Sequence, residues 1–101
     1  MSKKKVTDWD PSEHLDTTEA MAHYLEAALE DGDSGVIAAA LGDIARSKGM
    51  ASIAEATGLG RESLYKSLSE NGNPELTTVL KVVDALGLKL TAVPVDSDKA
   101  A

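Results

Sequence analysis

Four side chains within a six-residue window have the chemistry to read a base pair: Arg61, Glu62, Tyr65 and Lys66. The planar fork of an arginine donates two parallel hydrogen bonds and matches the O6 and N7 acceptors of a guanine. A glutamate accepts from the amino group of a cytosine, and lysine or tyrosine reaches a base edge or a phosphate. Leu64 and Leu68, four residues apart, mark the face to be buried, and these four side chains are expected to project away from it. Ser69, Asn71 and Asn73 follow as short polar groups able to donate to phosphate, although turns and caps use the same residue types. A solvated helix face would look similar, with Glu62 and Lys66 as an ion pair worth only about 0.2–0.5 kcal/mol. Arg61 tips the balance toward reading, because it opens the helix at the end that meets base edges.

These groups need a support that holds the helix against a groove. Residues 50–69 have the required pattern: a short helix from Met50 to about Thr57, a Gly58-Leu59-Gly60 turn, and a second helix from Arg61 to Ser69. Ala54 is small where the second helix crosses nearby. Gly58 falls where the chain must turn with positive φ, and Leu59 and Leu64 fill the wedge between the helices. The spacing Ala54, Gly58, Leu64 is that of a helix-turn-helix, in which the second helix enters the major groove while the first lies across the backbone.

Three further helices and a strand complete the expected architecture. Asp16 with Glu19 makes a capping-box-like start to a helix ending near Glu30, with Met21, Tyr24, Leu25, Ala28 and Leu29 at helical spacing. A helix from Ser34 to Lys48 puts Ile37, Ala40, Leu41, Ile44 and Ala45 on one face. Arg46 and Lys48 complement its dipole, and Gly49 closes it. After the Asn71-Gly72-Asn73-Pro74 loop, with Asn73 as a candidate cap, a fifth helix runs to about Leu86, burying Leu76, Val79, Leu80 and Val83; Gly87 stops it. Residues 88–94 alternate and are rich in Thr and Val, which reads as a strand. The expectation is an all-α, five-helix domain over residues 17–95, with an acidic segment at 1–16, a polar tail at 96–101 and one short C-terminal β-strand. A lone strand needs a partner for its amides. Pairing Leu88, Leu90 and Ala92 with a second copy would give a two-fold homodimer and an inverted-repeat operator.

Composition narrows the function classes. A chain of 101 residues is one domain's worth, and no cysteine is available for disulfides or thiolate metal sites. Apolar residues are 43 % of the chain, without a secretory leader or the roughly 20-residue apolar run of a membrane span. The reading is a cytoplasmic protein. His14 and His23 lack a third ligand, and Asp31-Gly32-Asp33 lacks the rest of a calcium loop. Gly58-Leu59-Gly60 follows no strand, so it is not a dinucleotide loop, and no triad is arranged. Neither enzyme, metal nor cofactor is expected. The net charge of −7 is concentrated in residues 1–45, where three Lys face ten acids; residues 46–90 carry six Lys or Arg against five acids. Asymmetry of this kind suggests two surfaces with different partners.

From Trp9 to Pro94 the chain resembles the addiction-module antidote proteins, an antitoxin family within the wider Xre-like helix-turn-helix group. The resemblance is carried by Leu25-Glu26, Glu30-Asp31-Gly32-Asp33, Ala40-Leu41-Gly42-Asp43-Ile44-Ala45-Arg46, Gly49-Met50, Arg61-Glu62-Ser63-Leu64-Tyr65-Lys66-Ser67-Leu68, Gly72-Asn73-Pro74 and Ala85-Leu86-Gly87-Leu88-Lys89-Leu90. It implies a lambda-repressor-like fold, a RelE-like toxin partner (a small, usually basic ribonuclease) and repression of the antitoxin's own operon on double-stranded DNA. The acidic N-terminal half then gains a candidate role. Asp8, Asp10, Glu13, Glu19, Glu26, Glu30, Asp31 and Asp33 could face a basic toxin. Trp9 is a candidate interface anchor, against the simpler reading that it packs on the protein's own first helix. The alternatives are a stand-alone helix-turn-helix regulator without a toxin, and an interaction module whose helix pair is only structural.

Overall fold

In the computed structural model, residues 15–95 are described, and they form five helices. These are α1 (Thr18–Asp31), α2 (Ser34–Lys48), α3 (Met50–Thr57), α4 (Arg61–Ser67) and α5 (Leu76–Ala85). The all-α expectation holds, and α2 and α3 begin and end where the capping signals put them. Trp9, Asp10 and the rest of the 1–14 segment, like the 96–101 tail, lie outside the described residues.

The connections explain the boundaries. The cap of α1 is Thr17, not Asp16: its backbone is extended and its Oγ1 accepts from the Ala20 amide at 3.0 Å. A cap must directly precede the first helical residue, and Asp16 stands one position too early. Gly32 ends α1 in the left-handed conformation. Asp33 at once caps α2, its Oδ1 accepting from the amides of Gly35 (2.7 Å) and Val36 (3.4 Å). Two residues therefore both close one helix and open the next, which keeps α1 and α2 adjacent.

The α2 helix touches all four others. Its Leu41, Ile44 and Ala45 meet Met21 and Leu25 of α1, Met50 and Ile53 of α3, Leu64 and Leu68 from the α4 region, and Val82, Val83 and Leu86 in one apolar core. Leu15 belongs to it too, and its carbonyl accepts from Ser47 Oγ at 2.7 Å. No polar or charged residue is buried among the described residues, so hydrophobic contact is the main term holding the helices together.

Three expectations about the C-terminal third are corrected. Helix α5 buries Val82 and Val83 with Leu86 just beyond it, Val79 half-buried, while Leu76 and Leu80 are 69 % and 49 % exposed. The stripes Leu76/Val79/Leu80/Val83 and Val79/Val82/Val83/Leu86 have identical helical spacing, and the packing uses the second. Asn73 does not cap α5; Glu75 occupies that position without a side-chain bond. The expected strand is not formed: residues 88–95 have no strand assignment. Leu88 and Leu90 lie half-buried against the core while Ala92 is exposed. No second strand exists among the described residues to pair with them.

Candidate nucleic-acid interface

The α3–α4 corner is built by backbone chemistry. Gly58 turns the chain at φ 77°, and its amide donates to the Ala54 carbonyl at 2.9 Å. A residue with a Cβ would be strained there. The Thr57 hydroxyl donates to the Ile53 carbonyl (2.8 Å) and accepts from the Leu59 amide (3.2 Å), tying the helix end to the turn. Ile53 and Leu64 are each 1 % exposed, and Ala54 and Leu59 pack against the same cluster. Leu59 and Leu64, the two residues expected between the helices, thus both belong to this cluster.

Burial of Leu64 and Leu68 sets the rotation of α4. Arg61, Glu62 and Lys66 are exposed, and Tyr65 is 46 % exposed. Among the described residues none of the four makes a side-chain hydrogen bond or ion pair, and the possible Glu62–Lys66 pair is not formed. Their donors and acceptors remain available to a ligand. Ser69 is different: half-buried, its hydroxyl donates to the Lys66 carbonyl at 2.9 Å and finishes the helix. Asn71 and Asn73 are exposed beyond it in the loop before α5.

Backbone-to-backbone contact fixes how α4 sits on α2. A Cβ on Gly42 would overlap the Leu68 carbonyl, and one on Gly35, two turns earlier, would stand 2.8 Å from the Glu70 carbonyl oxygen. The segment 68–70 thus lies in a notch cut into α2 by two missing side chains. Sequence reasoning did not find this notch, although a seven-residue repeat of glycine inside a helix is its signal, since such glycines weaken a helix unless something approaches closely.

The acidic candidates occupy a different side. Glu26 and Glu30 are exposed on α1, Glu26 lying 4.0 Å from His23 Nδ1. Across from them run Leu88, Lys89 and Leu90, which with α1 line a groove that also takes in Val93. On the other flank of α1, the Tyr24 hydroxyl donates to Asp43 Oδ2 at 2.6 Å, and Arg46 Nη2 donates to Asp43 Oδ1 at 2.8 Å. The groove that Glu26 and Glu30 line takes in no residue of α4, so the structure does not gather them with the α4 row into one site. No group of His, Asp or Glu among the described residues could hold a metal.

Residues 5–94 match the family model described as "probable addiction module antidote protein". The chain belongs to that antidote family. A Haemophilus influenzae protein described only as uncharacterized is 44 % identical over 86 residues, covering 85 % of this chain and 89 % of its own length. No solved structure matches. The antidote family places the chain as an antitoxin of a toxin–antitoxin module and implies a toxin partner. No helix among the described residues of the antidote is long and apolar enough to cross a membrane.

Proposed function

We propose that this antitoxin neutralises a RelE-like toxin and represses its own operon, reading DNA through a helix-turn-helix formed by α3 and α4 in a lambda-repressor-like fold. The observation that carries DNA reading is the row Arg61, Glu62, Tyr65 and Lys66, exposed and, among the described residues, without a side-chain hydrogen bond or ion pair, on a helix anchored by the buried Leu64 and Leu68. Arg61 and Glu62 contact base edges, Tyr65 and Lys66 a base or phosphate, and Asn71 and Asn73 phosphate. Ser69 serves as the stop of α4. The acids of α1, including Glu26 and Glu30, face the toxin together with Trp9 and Asp10. The site of action is the cytoplasm, and the work is binding without catalysis or cofactor.

The operator-binding form is a homodimer. Residues 88–95 run beside α1 without strand pairing, and Val93 and Val95 are 81 % and 71 % exposed. Antiparallel pairing with the same segment of a second copy would satisfy the free backbone groups and cover these valines. Two reading helices related by a two-fold axis then call for an inverted repeat.

The test is a gel-shift titration of the operon's promoter fragment with the parent chain and Arg61→Ala, at two salt concentrations. Weaker, less selective binding by the variant is expected, with salt sensitivity in both proteins. Equal binding would count against the assignment of Arg61. A stand-alone regulator would bind the same DNA but no product of a neighbouring gene, and the family match favours the antitoxin.

A further inference from the structure

We propose that the groove between α1 and α2 is the seat for a cationic segment of the partner protein, one that inserts an aliphatic side chain and flanks it with Lys or Arg. The identity of the partner rests on the antitoxin reading; the seat and its chemistry rest on the groove itself. The groove is open along one side and holds about 370 Å³. Its apolar lining is mostly Ala27, Ala28, Ala39 and Ala40, with Val36, which is 41 % exposed. Alanines from two adjacent helices let another chain's backbone approach closely, and the exposed valine gives it apolar surface to cover.

Every charged residue lining the groove is an acid: Asp31, Asp43 and Glu70. Asp43 is already engaged by Tyr24 and Arg46. Asp31 and Glu70 have no ion-pair partner among the described residues. Asp31 is placed against its own helix: with Glu30 it occupies the last turn of α1, which carries no basic residue and where unpaired carbonyls already concentrate negative charge. Acids there cost stability, so the local rule is broken in favour of a surface property. The stretch that supplies both groove helices, residues 15–45, carries seven acids and no Lys or Arg, and the first cation after it, Arg46, is held by Asp43. That field repels a nucleic acid, and it repels the same acidic face of a second copy. It attracts a basic protein segment, whose cations the rim pairs while the alanine floor takes the apolar side chain between them.

The experiment titrates the purified product of the neighbouring gene in the operon into the full-length antitoxin by calorimetry. Four variants are compared with the parent: Asp31→Lys, Glu70→Lys, Ala39→Tyr to fill the groove, and Glu55→Lys on α3 as an equal change of charge away from it. Each groove variant should raise Kd by about ten-fold or more, and Glu55→Lys by less than about two-fold. Asp31→Lys should keep or raise the melting temperature, because it relieves the helix end while weakening the complex. Circular dichroism on Ala39→Tyr reports whether the fold is kept, and the two charge reversals test the seat without burying anything. Unchanged Kd in the reversals, or an equal loss with Glu55→Lys, would overturn the seat while leaving the antitoxin reading intact. No complex with the parent protein would overturn the antitoxin reading and the proposed partner with it.

Discussion

Gly42 lies so close beneath the carbonyl of Leu68 that a Cβ on the glycine would overlap the oxygen. The contact is backbone on backbone, so neither side has a flexible side chain with which to yield. Alanine is normally the better helix residue by about 0.8–1 kcal/mol, but here the overlap dominates, since forced overpacking typically costs about 1–3 kcal/mol. Gly42→Ala should therefore lower the urea midpoint despite its helix propensity, and weaken operator binding by moving the end of α4. An alanine variant as stable as the parent would show that residues 68–70 are not seated on α2.

Arg61→Ala should cost about 1–3 kcal/mol of operator affinity, or roughly 5- to 150-fold, and relax selectivity at the base pair it reads. Lys66→Ala should weaken binding evenly across sequences and reduce the slope of log K against log salt by about 1 if Lys66 meets a phosphate. Fluorescence anisotropy over a salt series separates these outcomes.

The cap of α1 gives a clean pair of variants. Thr17→Ala removes the acceptor of the Ala20 amide and should destabilise the protein by about 1 kcal/mol. Asp16→Ala should stay within about 0.5 kcal/mol of the parent, as an exposed substitution without a specific bond. Thermal melts with the two results reversed would restore Asp16 as the cap.

Tyr24→Phe deletes the donor to Asp43 and leaves the partly buried carboxylate with Arg46 as its remaining partner among the described residues. A hydrogen bond to a charged group contributes about 1.5–3 kcal/mol when well sequestered; with both residues partly open to water, a loss near the lower end is expected. Chemical denaturation measures it. No detectable loss would mean that water replaces the phenol.

Thr91→Pro tests the homodimer. It removes one backbone donor from an exposed segment that forms no strand within its own chain, so the melting temperature of the folded unit should hold. Pairing with a second copy would lose a ladder bond, and sedimentation should show a shift toward monomer. A dimer unaffected by the proline would have to assemble through another face.

The helix positions were readable because each boundary had a local cause: glycine exits at 32, 49 and 58, an aspartate cap at 33, and apolar residues three and four apart. The rotation of α5 was not, because Leu76 and Leu80 continue an apolar stripe with the same period as the one that is buried. Only contact with the rest of the core chooses between them. The strand-like residues 88–94 carried the right alternation, but alternation states a preference for extended backbone and cannot supply a partner. Within the candidate site, Arg61 and Tyr65 lie on the same helical stripe as Leu64 and Leu68 and are exposed by the packing, whereas the outward placement of Glu62 and Lys66 followed from the two leucines. The notch and the alanine groove did not, since both depend on which helices happen to be neighbours.

Because Arg61, Glu62, Tyr65 and Lys66 are exposed and make no side-chain hydrogen bond or ion pair among the described residues, the fold has little invested in their identity. Exposed substitutions of this kind usually shift stability by no more than about 0.5 kcal/mol. On the proposed reading, a lineage could exchange all four and acquire a new operator while keeping the same folded protein. Gly35, Gly42 and Gly58 would bear the opposite constraint. Promoter recognition could thus diverge quickly between sister modules while the scaffold beneath it stays nearly still.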